Sequence, residues 1–368
     1  MRKFAACAAG AAMAVLAALP GAVDARIVTD VLDRKVDVPD RVDRVLLGFY
    51  FEDFYAVAGP KAYDRVVAIS KGAWHGWRNL QWQAYEKTTP RINDLTDVGE
   101  VYAGTFSIET AIAARPDVAI IAEWQYSTMG DAVDKLQAAS IPVVVADYNA
   151  QTVEKHVKST LLIGEVMGTQ DRAKMLADEY AAAVADVMAR VKASKAAPKR
   201  VYVELGNKSA ETYGNSYTNH MWGAAIGIAG GQNIALGQIA KWAPLNPEYV
   251  LATDPEVVFI AGSGWVGRDK AVLMGPGVDP AKTHDRLRPY VSRPGWANMT
   301  AVKDGQVHGL YHGGARTLYD FAYLQYMGKI LHPDAFRDVD PAANLKAFFR
   351  KYLPIRAEGA YWTRLPKN

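Results

Sequence analysis

The sequence predicts an α/β protein of two lobes, each on a parallel central sheet, joined by one long α-helix. Three observations carry this. Short continuous Val/Ile runs alternate with helical patterns in two series, as expected of strands buried on both faces of parallel sheets. Between the series, Asp171 to Lys192 holds neither Gly nor Pro. The 368 residues amount to two domains of roughly 150 each.

The first element is a targeting segment. Arg2 and Lys3 precede the apolar stretch Phe4 to Leu19, Pro20-Gly21 breaks it, and Val23-Asp24-Ala25 offers small residues for cleavage. Residues 1–25 therefore read as a signal peptide. The one Cys, Cys7, precedes most of the apolar stretch, which argues against lipid attachment. Cleavage removes it, so the exported chain has no disulfide and no thiolate metal site. It also removes Arg2, Lys3 and Asp24 and leaves a net charge of +2, from 42 basic and 39 acidic side chains in all. That balance argues against a nucleic-acid binder. No later apolar run is long enough to span a bilayer, so the expectation is a soluble protein.

The strands of the first series are 44–48, 66–69, 118–122 and 141–145, with helices at Ile108 to Ala114 and Asp131 to Ala139. Thr152 to Val166 is a further helix, punctuated by Gly168. The long helix follows, with Met175, Leu176, Tyr180, Val184, Val187, Met188 and Val191 at helical spacing, and Pro198 blocks its continuation. The second series has strands at 200–205, 257–261 and 306–310 and helices from about Tyr319 to Leu331 and Ala342 to Tyr352. The expected organisation is a signal peptide (1–25), an N-terminal lobe (26–168), a linking helix (169–198) and a C-terminal lobe (199–368).

The order of several motifs resembles periplasmic substrate-binding proteins of ABC importers, in the helical-backbone branch that handles ferric siderophores, haem and cobalamin. The motifs are Ile27 through Val45, Ser107-Ile108-Glu109 with Arg115-Pro116-Asp117-Val118, Ala229-Gly230-Gly231-Gln232-Asn233, Pro247-Glu248, Asp254-Pro255-Glu256-Val257 and Ala301 through Val307. The resemblance covers nearly the whole exported chain. It implies two Rossmann-like lobes, a ligand cleft between them, a periplasmic location, no resident cofactor, and a monomer delivering cargo to a permease and its ATPase. By motif position it also implies that Glu109 and Glu248, one per lobe, dock on the permease. Their simplest other role is to favour helix N-termini.

In open α/β sheets, ligands sit beyond the carboxyl ends of the strands. That rule selects loops carrying Tyr50, Glu52, Lys71, Trp74, His75, Trp77 and Arg78 in the first lobe, and Tyr217, Trp265, Tyr311, His312 and Arg316 in the second. Aromatic walls with a few cations suit a bulky anionic ligand. The expected cargo is thus a metal chelate, foremost a ferric siderophore. Molybdate or tungstate, haem, cobalamin and a nickel chelate are the alternatives, and an exported metalloenzyme is the rival outside the class. Two other readings are weaker. Gly262-x-Gly264-x-x-Gly267 fits a dinucleotide fingerprint, but no clean helix follows it. His308 and His312 have the four-residue spacing of a helical metal pair, but they sit at a strand end. Gly-x-Ser-x-Gly and His-Glu-x-x-His are absent, which argues against an enzyme.

Overall fold

The computed structural model describes residues 25–367. Apart from Ala25, the expected signal peptide lies outside the described residues. The described chain opens with an antiparallel hairpin of β1 (Ala25–Thr29) and β2 (Lys35–Pro39).

The N-terminal lobe is a five-stranded parallel sheet. Its strands are β3 (Val45–Leu47), β4 (Val66–Ile69), β5 (Thr96–Asp97), β6 (Val118–Ala122) and β7 (Val143–Ala146), in the spatial order 5-4-3-6-7. The central strands β3 and β6 are buried at every residue, the physical counterpart of their unbroken apolar sequence. Helices α1 (Phe51–Ala58), α2 (Asn79–Thr88), α3 (Ile108–Ala113), α4 (Glu123–Met129) and α5 (Asp131–Ala138) connect them. The chain leaves β3 to one side for β4 and later returns to the other side for β6. The gap between the ends of β3 and β6 is therefore the crevice where such sheets bind ligands.

Helix α6 (Val153–Met167) turns at Gly168 into α7 (Gln170–Ala193), the 24-residue linking helix. Gly164 makes this turn possible: a Cβ there would lie 2.2 Å from the Cβ of Ala173. Helix α7 buries Ala173, Leu176, Tyr180, Val184 and Val187 and packs on elements of both lobes.

The C-terminal lobe comprises β8 (Arg200–Leu205), β9 (Asn215–Tyr217), α8 (Met221–Ile228), β10 (Gln232–Asn233), β11 (Trp242–Pro244), α9 (Pro247–Thr253), β12 (Val257–Gly262), β13 (Gly275–Pro276), α10 (Pro280–Val291), α11 (Thr300–Lys303), β14 (Val307–Tyr311), α12 (Phe321–Leu331), α13 (Pro341–Tyr352), β15 (Gly359–Ala360) and β16 (Trp362–Arg364). Its main sheet has the order 10-8-12-14-16. One difference from the expected parallel sheet stands out: β16 joins β14 antiparallel. A C-terminal strand returning along the edge needs no crossover helix, so either direction is open to it.

Candidate ligand site

The two crevices face each other. After β3 the chain presents Phe49 and Tyr50, and after β6 it presents Trp124, whose ring meets Phe49 edge-on at 5.3 Å. After β4, a π-helical turn at Gly72–Gly76 leads into Trp77 and Arg78. From the other lobe, the turn after β14 presents His312 and Arg316.

Arg78 and Arg316 are 4% and 8% exposed. Their guanidinium carbons lie 5.2 and 4.9 Å from the centroid of the same Phe49 ring. Among the described residues, no ion pair is made by either. Nε and Nη2 of Arg78 and Nε of Arg316 are buried without a hydrogen-bond partner, and Nη1 of Arg316 reaches only the Met221 sulfur at 3.7 Å. Burial first, and then repulsion from Arg78, push Arg316 down to about 9. Two cations this deep are costly unless something pairs with them. The hydroxyls of Tyr217 and Tyr311 and the indole N–H of Trp124 are also buried and unpartnered. His312 Nδ1 accepts the Trp222 indole N–H at 3.2 Å, which places the proton of the neutral ring on Nε2. Burial and then the two guanidiniums push that imidazole well below its ordinary value, so it stays neutral at pH 7. The arrangement is a set of donors and positive charge converging on one place, suited to an anion.

Three residues of the site have a left-handed backbone. Tyr50, Met221 and Arg316 have φ of 56°, 47° and 61°, in the left-handed region that non-glycine residues rarely adopt. Around the arginines runs a chain of rings. Trp124 neighbours Trp77, Trp77 neighbours Tyr102, Tyr102 meets Trp242 across the lobes at 6.3 Å, and Tyr217, His312 and Trp265 continue it.

The lobes also touch through backbone beside the rim. Asn79 N–H donates to Gly264 O at 3.0 Å, and Val266 N–H to Gly76 O at 3.0 Å. Ser263 Oγ donates to Trp77 O at 2.8 Å. Gly264 is required for this approach, since a Cβ would meet Leu80 at 2.7 Å. Its glycine serves the interlobe contact, and no helix follows residues 262–267.

Of the residues expected from sequence, Tyr50, Trp77, Arg78, Tyr217, Trp265, Tyr311, His312 and Arg316 come together. Others do not line this cluster. Trp74 is fully buried and stacks on Phe51 at 4.8 Å, inside the N-terminal core. Lys71 and His75 gather around Trp82, at 5.1 and 5.6 Å from its ring. Glu52 lies beneath the site, accepting from Gln81 Nε2 and the Tyr319 hydroxyl, each at 2.5 Å. His308 and His312 do not form a ligating pair. Both His308 nitrogens are engaged, with Tyr326 at 2.8 Å and Gln306 at 3.1 Å, because its side chain faces α12 rather than the cleft. Phe49 and Trp124 lie in the loops after the first and third strands, which the strand-end rule also selects. Tyr102, Trp222 and Trp242 lie outside the strand-end loops, and the sequence does not point to them.

Glu109 and Glu248 are exposed at the starts of α3 and α9, where Ser107 and Asn246 supply the N-caps at 3.1 and 2.7 Å. The capping work thus belongs to their neighbours.

Two α/β lobes around a cleft, bridged by one long helix, are an architecture suited to holding a solute between them. The family described as periplasmic binding protein matches residues 45–311, and the chain belongs to it. It is therefore the binding component of an ABC importer. It is 24% identical over 350 residues to the molybdate-binding protein MolA of Haemophilus influenzae, covering 89% of this chain and 90% of that one. Among solved structures, the TroA-like periplasmic binding protein FepB from Veillonella parvula is 30% identical, with a TM-score of 0.86 over 92% of this chain and 99% of that one. A molybdate-bound MolA structure shares the fold at a TM-score of 0.69 and 18% identity, over 91% and 99% of the two chains.

Proposed function

We propose that the protein captures an anionic metal chelate of the ferric siderophore class in the periplasm, as a monomer, and passes it to its permease and ATPase. The observation that carries this reading is the pair of buried guanidiniums sharing Phe49, without carboxylate partners, inside a rim of aromatic rings from both lobes. Guanidiniums pair with the oxygen anions of a chelate, and ring faces cover its organic body. A bare oxyanion of the molybdate type is the second reading. It is favoured by the depth of the two arginines and by the similarity to a molybdate-binding protein along most of the chain.

The two readings separate in one titration. A ferric siderophore seated in the rim quenches the fluorescence of Trp77, Trp124 and Trp265 strongly, and excess molybdate does not displace it. Clear molybdate binding, with no response to a broad panel of ferric siderophores, sinks the first reading and leaves the second. Glu109 and Glu248 are proposed as the permease contacts. The double Gln variant is expected to keep ligand affinity and lose uptake and ATPase stimulation, a loss that raised salt partly mimics in the unsubstituted protein. Normal uptake in that variant removes the docking assignment.

A further inference from the structure

Directly beneath Arg78 lies a group of buried carboxyls that the ligand reading does not use. Glu52 and Asp53 begin α1 and are 2% and 3% exposed. Glu52 Oε2 holds Gln81 and Tyr319, whereas its Oε1 is buried without a partner. Asp53 Oδ1 accepts the Leu318 backbone N–H at 2.7 Å, two residues beyond Arg316. The pair is therefore tied to both halves of the cation site, through Gln81, one helical turn after Arg78, in one lobe and through Leu318 and Tyr319, next to Arg316, in the other.

Resting on the anionic-ligand reading above, we infer that the Glu52–Asp53 pair takes up a proton when an anion is captured at Arg78 and Arg316. The argument is one of shared charge. Without ligand, the Arg78 guanidinium is the positive charge acting on both carboxyls, and it holds them toward the ionised form. An anion paired with that guanidinium cancels its field. The carboxyls are then left buried, adjacent and mutually repelling, and one of them binds a proton.

The other groups facing the pair do not supply that proton. Tyr50, Tyr63, Tyr85 and Tyr148 on the N-terminal side, Tyr180 on the linking helix, and Tyr311, Tyr319, Tyr323 and Tyr361 on the C-terminal side are all pushed above the ordinary tyrosine value by burial and so stay neutral. Asp320 also faces Asp53, and it is bonded to Gln151 at 2.9 Å and His156 at 3.1 Å. Burial raises Glu52 to about 7, and the Tyr319 hydroxyl, Arg78 and Tyr85 act against that rise. The exchange therefore falls near neutral pH. Capture with proton uptake tightens as pH falls, so the protein holds its ligand better in an acid medium.

The test is calorimetry of the whole protein with molybdate, which stays a dianion over the range used, and in parallel with a ferric siderophore that binds. Titrations in buffers of different ionisation enthalpy give the number of protons taken up. The expected result is an uptake of about half a proton near pH 7 and an affinity that rises about three- to tenfold from about pH 8 to about pH 6. Glu52→Gln and Asp53→Asn should each reduce the uptake, and the difference from wild type cancels the ligand's own protonation. Infrared difference spectra of the wild type should gain a protonated buried-carboxyl band on binding, which needs no variant. Binding without proton uptake, or without the carboxyl band, overturns the inference and leaves the anion site standing. No binding of either probe at any pH removes the anion-site reading and this inference with it.

Discussion

The chain buries arginines in two places and treats them in opposite ways. Arg293 pairs with Glu204 through Nη1 at 2.6 Å and Nη2 at 2.8 Å, donates through Nε to Ala210 O, and is enclosed by Tyr213, Tyr290 and Trp296 at 4.2 to 4.8 Å. Its charge is neutralised and nearly every donor is used. Arg78 and Arg316 also meet aromatic rings, but no carboxylate reaches them and their donors stay open. The first arrangement completes itself and serves the fold. The second needs a negative partner from outside, and the molecule bears that cost in stability to gain a binding site. Burial alone does not mark a functional arginine. The absence of a carboxylate bonded to it does.

The largest expected effect falls on the completed site. Glu204→Gln leaves Arg293 buried and unneutralised, and should lower unfolding stability by about 3–5 kcal/mol in urea titrations. Ligand affinity of the folded fraction should hold. A large loss of affinity with little loss of stability would break the division between the two sites. Arg316→Gln should do the reverse. It should weaken an anionic ligand by about 1–3 kcal/mol, measured by calorimetry, while the unfolding midpoint stays level or rises because a repelled buried cation is gone.

The pH dependence sharpens the contrast further. Burial raises Glu52 to about 7 in the folded state, above its ordinary 4.5, and Asp53 moves the same way. The folded protein then binds more protons than the unfolded chain between those values. This stability is fully present below about 4.5 and is lost as pH rises through about 7, on the order of 1–3 kcal/mol from pH 5 to pH 8. Urea midpoints that rise with pH over this window would contradict the buried, uncompensated state assigned to the pair. The smallest effect concerns shape. Helix α7 has no Gly or Pro, and the lobes already share hydrogen bonds on both sides of the cleft, so small-angle scattering should change little when ligand binds. Marked compaction would point to a hinge that this helix does not provide.

Much of this architecture was legible in sequence. The long helix was read as Asp171 to Lys192 and spans Gln170–Ala193. Strands 66–69, 118–122 and 200–205 fall where their apolar runs lie. Of helix α1 only the acidic start at Glu52-Asp53 is legible, because all eight of its residues are buried and it has no polar face to reveal a period. Helix α10 was missed because Pro289 sits within it and Pro280 at its start, and proline reads as a breaker.

Trp74 and Trp77 show where sequence stops. They are three residues apart in one loop of one composition, yet one is the core of a lobe and the other lines the rim. His308 and His312 divide in the same way. What the sequence determined by itself is everything governed by local periodicity and by order along the chain: the α/β class, the two series of strands, the rigid link and the loops at the strand ends. Tertiary structure alone decided which side chains in those loops meet, and which buried charges find a partner. Neutralisation depends on groups brought together from distant parts of the chain, Glu204 to Arg293 in one place and no carboxylate to Arg316 in the other, and residue spacing carries no record of that.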